Sequence, residues 1–269
     1  MPGPDAASLR KTVAKHLRHY RPAVEALEAD RTAIRRRLLG DERLMDGPDF
    51  TRLATSTLAV MFEEYDQRFF DGMTRPLVEA RSGYLEFRLS KRMTKTGGKT
   101  TRVEYSRPNE RGRLRDYEIT LSSQLLFQSF RQPGRPESVT GIVCHHRIDA
   151  MMRIFEHELI HLLEMLVWDD SSCAAGRFKA IAKGLFLHTE STHELPGPAD
   201  TAKRQFGIVP GQWVRFSFEG RQHKGFVNRI HRRATVLVEH PGGELYSNGK
   251  TYRKFYVPVQ QLQPIRRPA

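Results

Sequence analysis

The chain has 269 residues, of which 39% are hydrophobic and 28% charged, a composition typical of a soluble globular protein with a substantial core. No apolar run reaches the roughly 18 residues that a membrane-spanning helix needs, and the first residues have no apolar signal segment, so we expect a cytoplasmic protein that does not enter a membrane. Two cysteines are too few for a disulfide framework.

The net charge of +13 is concentrated near the carboxyl end. Residues 205–269 contain 11 Lys or Arg and three Asp or Glu, and therefore supply eight of the 13 surplus charges. This shift in composition predicts three segments: an amino-terminal helical segment over 1–50, a central domain over 51–204, and a basic module over 205–269. A protein with such a basic module could also associate with the nucleoid.

Apolar residues at helical spacing predict helices in the first part of the chain. The pattern over 8–39 is interrupted at Pro22 and ends at Gly40, which predicts two helices. A third helix is predicted over 53–70. The run Arg35–Arg37 is either a phosphate contact or a solvated face.

Alternating residues then predict two strands, "YLEFRLS" from Tyr84 and "DYEITLSSQLL" from Asp116. Between them, "KRMTKTGGKTTR" over 91–102 predicts a hairpin turn at Gly97-Gly98. Its positive charges are open to two interpretations, a substrate or nucleic-acid contact and a solvated loop. The strand "DYEITL" could offer an exposed edge, with which an extended substrate would pair through its backbone.

The segment "RIDAMMRIFEHELIHLLEMLVW" predicts a long helix capped by Asp149. His157 and His161 lie one turn apart on one face, and Glu158 lies about 100° away from His157. Two neutral imidazoles at this spacing can bind one zinc ion, while the glutamate polarises a zinc-bound water. The alternative is a buried helix in which two histidines coincide.

Five stretches together resemble the SprT-like zinc metalloproteases, which include the Spartan proteases that degrade proteins crosslinked to DNA. They are "MFEEYDQRFFDGMT", "LSKRMTKTGG", "YEITLSSQLL", "HELIH" and "RFKAIAKGLFLHTESTHEL", in the family's order within about residues 53–195. The resemblance implies an α+β, zincin-like protease domain with an active-site helix and a small sheet. It also implies Zn²⁺ on His157 and His161, a protein substrate, and Glu158 as general base.

The third zinc ligand departs from the family. A His-Gly pair would stand four residues before an aromatic residue, but counting back from Phe178 gives Ala174, which cannot ligate. Cys173 is one residue further back, and its thiolate is a strong zinc ligand, so we predict that it completes the set. The other candidates for this position are Glu164, His188 and His193.

The basic module reads as four or five short strands with glycine-containing turns, which predicts a small SH3-like β-barrel. Its cations alternate with Phe216, Phe226, Tyr252 and Tyr256, a mixture that suits phosphate contact and base stacking. The residues predicted to bind DNA or another nucleic acid are Arg215, Lys224, Arg229, Arg232, Arg233, Arg253 and Lys254. The aromatic residues could instead form the core of a barrel that binds a protein or peptide.

Three classes of function follow from these patterns. The first is a zinc endopeptidase recruited to DNA, as the resemblance implies. The second is a nucleic-acid-binding protein with a structural, non-catalytic zinc site. The third is a metallopeptidase whose basic module captures an acidic protein.

Overall fold

The structure, a computed structural model, describes residues 5–130, 136–193, 195–231 and 233–267. The chain divides into two compact units, Met1–Leu195 and Pro196–Ala269. The expected α+β class is confirmed, since helices and sheets both occur. In the described part of the chain, no helix combines the length and the apolar character needed to cross a membrane.

Seven helices of the described residues form most of the first unit. They are α1 (Ala6–His19), α2 (Val24–Leu39), α3 (Thr55–Phe70), α4 (Thr74–Ala80), α5 (Ser123–Gln128), α6 (Arg147–Trp168) and α7 (Gly176–Phe186). The helices predicted over 8–39 and 53–70 are confirmed as α1, α2 and α3. Apolar side chains of α1 and α2, such as Val13 and Ile34, share one core with α6. The first 50 residues therefore pack with the central domain.

A three-stranded sheet lies against these helices. It consists of β1 (Gly83–Ser90), β2 (Gly98–Glu104) and β3 (Arg115–Ser122), and a separate two-stranded sheet consists of β4 (Glu137–Val139) and β5 (Ile142–Cys144). The strand order is β1-β3-β2, with β3 parallel to β1 and antiparallel to β2. The prediction that "DYEITL" offers an exposed edge is wrong, because these residues belong to β3, the middle strand. The edge next to α6 is β2.

The predicted hairpin turn at Gly97-Gly98 is also wrong, because β2 begins at Gly98 and does not pair with β1. Glycine is needed at positions 97 and 98 for a different physical reason. A Cβ atom on Gly98 would lie 2.7 Å from Cγ of Glu158, and one on Gly97 would lie 2.8 Å from Cδ1 of Ile154. Only glycine lets β2 approach α6 this closely.

The described residues of the second unit form one α-helix and a sheet. Its elements are α8 (Pro198–Phe206), β6 (Trp213–Phe218), β7 (Arg221–Ile230), β8 (Ala234–Leu245), β9 (Thr251–Val257), a short 3-10 helix (Val259–Gln261) and β10 (Gln263–Pro264). The strand order is β10-β6-β7-β8-β9. This unit begins before the expected boundary at 204/205, since Ala202 of α8 packs with Val214 and Val227 in the core.

Candidate metal centre

Helix α6 positions the predicted metal ligands. Asp149 caps the helix from its third residue, where Oδ2 accepts the backbone N–H of His146 at 3.0 Å. Seventeen of the 22 residues of α6 are buried, so neighbouring elements surround the helix on most sides. His157 and Glu158 are 0% and 1% exposed, and their orientation is therefore determined by packing.

The structure brings three predicted ligands together. Nε2 of His157 lies 3.1 Å from Nε2 of His161, and Sγ of Cys173 joins them in a group whose ligand atoms all lie within 4.8 Å of one another. Cys173 is half-buried in the loop between α6 and α7. Two imidazole nitrogens and one thiolate are a donor set that suits zinc and leaves a coordination position for water.

Hydrogen bonds around His161 fit its predicted role as a ligand. Its Nδ1 lies 2.6 Å from Oγ of Ser171, which itself donates to Oε2 of Glu164 at 2.7 Å. Nε of Arg177 donates to the other oxygen of Glu164 at 2.6 Å. Because the hydroxyl proton of Ser171 is committed to Glu164, His161 donates from Nδ1 and keeps a lone pair on Nε2. Glu164 therefore orients His161 in this structure and is not grouped with the ligand atoms.

Both histidines are held in the neutral form that binds metal. Burial lowers the pKa of His157 to about 2, and the neighbouring His193 and His161 add to this effect. Burial also lowers the pKa of His161. A neutral imidazole has a free lone pair for a cation, so the environment fits the predicted zinc site.

Glu158 lies between β2 and the loop after α7. Oγ1 of Thr100 donates to its Oε2 at 2.7 Å, and Nε2 of His193 lies 3.1 Å from its Oε1. The absence of a side chain on Gly98 leaves room for this carboxylate. Thr100 therefore holds one carboxylate oxygen of Glu158, while Oε1 accepts no hydrogen bond among the described residues. A glutamate held in this way beside the histidine pair is positioned to accept a proton from a coordinated water.

His193 and His188, the two histidines that are also candidates for the third ligand, have different neighbours. Nε2 of His193 also lies 2.8 Å from Oγ1 of Thr96, and His193 forms a second possible metal group with His157 and Glu158. His188 is buried against Glu156, with Nε2 and Oε2 2.9 Å apart. His188 belongs to neither group of possible metal ligands among the described residues.

Three side chains that contact the candidate site were not predicted from the sequence: Thr96, Thr100 and Ser171. They act through hydrogen bonds to residues far away in the chain, and hydroxyl residues carry no spacing pattern that reveals such bonds. The Gly97-Gly98 step was the available clue, since adjacent glycines can indicate a close backbone approach as well as a turn.

In the second unit, the register of the strands collects four predicted basic residues on one face, which we call the cationic face. Residues directly opposite each other in antiparallel strands share a face, as do residues two apart on one strand. The pairs that define the face are Arg215 with Lys224, Phe226 with Leu237, Leu237 with Lys254, and Thr235 with both Arg229 and Tyr256. Arg253 lies on the opposite face.

The other residues of this unit that were predicted to contact nucleic acid are placed as follows. Arg233 is exposed between β7 and β8, and Arg232 lies outside the described residues. Phe216 is 2% exposed and belongs to the core, whereas Tyr256 on the cationic face is 56% exposed. The aromatic residues are therefore divided between the core and the surface.

Comparisons with protein-family models, with curated proteins and with solved structures found no match to this chain.

Proposed function

We propose that the first unit is a zinc-dependent endopeptidase of SprT-like type with a zincin-like domain. The observation that carries this proposal is the grouping of His157, His161 and Cys173 beside the held carboxylate of Glu158. A bound zinc ion would supply Lewis acidity and lower the pKa of its coordinated water. Glu158 would take the proton from that water and deliver it to the leaving amine.

Substrate binding is proposed for the edge strand β2. Lys99 and Val103 of this strand are exposed, and Thr100 links the strand directly to Glu158. An extended peptide that adds to a sheet edge is recognised mainly through its backbone. We therefore expect loose sequence selectivity and cleavage of unfolded or extended segments.

Metal removal tests the proposed peptidase. We expect cleavage of an unfolded protein such as casein to stop after dialysis against a chelator and to return with one equivalent of zinc. The measurement is product formation together with zinc content per chain. Cleavage that continues in metal-free protein would contradict the zinc mechanism, and no cleavage by the zinc-loaded chain would favour a structural site.

We further propose that the five-stranded sheet of the second unit is an SH3-like barrel that binds nucleic acid through its cationic face. Lys224 and Arg229 are exposed and have no ion-pair partner among the described residues, so both charges are available to phosphates. Lys254 is less available because it pairs with Glu244. Such a surface would bring the peptidase to DNA-associated proteins, which supports a cytoplasmic enzyme that works on the nucleoid.

Salt dependence tests the cationic face. We expect DNA affinity of the full chain, measured by fluorescence anisotropy, to fall steeply with salt, and Lys224→Gln to lower the slope of log K against log salt by about one. Arg253→Gln removes the same charge from the opposite face and is the matched control. Equal losses in both variants would contradict the face assignment, and a wild-type affinity without salt dependence would favour an acidic protein partner.

A further inference from the structure

Glu156, the residue before His157, is a fully buried carboxylate that five donors approach. Nε and Nη2 of Arg31 donate at 3.0 and 2.9 Å, and the hydroxyl of Tyr65 donates at 2.8 Å. Nε2 of His188 and Nη2 of Arg153 lie at 2.9 and 3.1 Å. A carboxylate offers about four lone-pair sites, so its accepting capacity is used up.

Of these donors, Arg153 has an incomplete set of hydrogen bonds. Its side chain is 7% exposed, and Glu156 is its ion-pair partner among the described residues. Its Nε–H has no hydrogen-bond acceptor among them. This Nε–H is therefore a donor that a bound anion could use. Arg31 differs, because it also donates to Glu28 and to the backbone oxygen of Phe186.

The cluster around Glu156 has one more buried positive charge than buried negative charges. Arg31 and Arg153 are both cationic, while Glu156 is the buried anion. Burial raises the pKa of Tyr65 and lowers that of His188, and both shifts favour the neutral form. The carboxylate of Glu28 is 59% exposed, and water screens its charge. Glu28 accepts from Nη1 of Arg31 at 2.6 Å and compensates the extra charge only in part. An incompletely compensated buried charge is costly, and a bound anion would offset that cost.

A pocket of about 140 Å³ adjoins this excess charge. The pocket lies among α2, α6 and β5. Its polar lining consists of three arginines, two carboxylates and one hydroxyl: Arg31, Arg35, Arg153, Glu28, Asp149 and Thr32. Arg35 uses Nη1 to bind Asp149 at 2.8 Å, which leaves other N–H groups of its guanidinium available. The three guanidinium groups of the lining outnumber its two carboxylates, and the hydroxyl of Thr32 is a further possible donor.

We propose that this pocket binds a small oxyanion of the phosphate class, held by Arg153 and Arg35 with Thr32 as an additional donor. Planar guanidinium groups match the oxygen geometry of phosphate, and such charge-assisted hydrogen bonds are strong. A doubly charged tetrahedral anion can use both arginines, whereas a carboxylate such as acetate satisfies one. This site is separate from the zinc centre, and binding there is independent of peptidase activity.

Thermal unfolding and calorimetric titration of the full chain test the site. We expect inorganic phosphate at low millimolar concentration, at constant ionic strength, to raise the unfolding midpoint along a saturable curve. Sulfate should act similarly, and acetate more weakly. Phosphate also stabilises proteins through exclusion from their surface, but that effect does not saturate and does not depend on one arginine. A wild-type chain without saturable binding would overturn the proposal.

Three variants locate the binding. Arg153→Met should abolish the saturable shift, and Arg35→Gln should weaken phosphate binding about tenfold or more. Arg36→Gln is the matched control, because Arg36 is the next residue of α2, is exposed and does not line this pocket. Saturable binding that survives Arg153→Met unchanged would overturn the proposal. If Arg153→Met does not fold, equal phosphate affinities of Arg35→Gln and Arg36→Gln would overturn the proposal.

Discussion

A chain with glutamine in place of Glu158 is expected to keep its fold and its zinc while its peptidase turnover falls by roughly 10²–10⁴-fold. Glutamine preserves the shape of the side chain, and its amide oxygen can still accept the hydrogen bond from Thr100. It has no carboxylate that can take a proton from water. The measurement is kcat on an unfolded protein substrate, with zinc content and the unfolding midpoint determined on the same preparation.

Glu164→Gln is the matched control for this prediction, because both glutamates are buried on the same helix. Glu164 acts through Ser171 on His161, so its replacement should weaken zinc affinity by roughly 10–100-fold. Turnover should recover when zinc is saturating. Turnover that persists in zinc-loaded Glu158→Gln would contradict the role of Glu158 as the base and would direct attention to His193, its close neighbour.

The part of the site that lies on α6 could be predicted because one helical turn determines it. His157 and His161 fall on one face at a spacing of four residues, and no knowledge of distant contacts is needed. The apolar spacing that predicted α1, α2 and α3 is equally local. Strand order is different, because it depends on which segments meet in space. Hence β2 escaped prediction, and β3 was assigned to an edge although it lies in the middle.

Arg229 shows why the cationic face could not be derived from alternation alone. Simple alternation along β7 would place Arg229 on the same face as Gly225 and Val227, which face the core. A register shift between Val227 and Arg229 inserts one extra residue and turns Arg229 to the other face. The sequence shows that this module is basic, but only the pairing with β8 shows which face Arg229 occupies.

Zinc affinity is expected to depend strongly on Cys173. Cys173→Ala is expected to lose zinc, with affinity falling by more than the roughly 10–100-fold that an outer hydrogen-bonding partner contributes. The reason is that the thiolate is the third member of the proposed ligand group, and two histidines alone would leave such a site incomplete. The measurement is a zinc competition titration with a chromogenic chelator.

Cys144→Ala is the matched control, because it removes the other thiol of the chain. Cys144 is 1% exposed and donates weakly to the backbone oxygen of Ile142, and burial raises its pKa to about 12. A thiol that stays protonated does not bind zinc at neutral pH. Zinc affinity should therefore be unchanged in Cys144→Ala, and equal losses in the two variants would contradict the assignment of Cys173.

Replacing Cys173 with histidine distinguishes a ligand from a nearby packing residue. A thiolate donates a full negative charge to the metal and so weakens its Lewis acidity, whereas imidazole donates no net charge. Cys173→His should thus retain one zinc per chain and raise kcat, because the coordinated water ionises more easily. Loss of zinc without any gain in turnover would show that the thiolate is not an interchangeable ligand and would favour a ligand group built on His193.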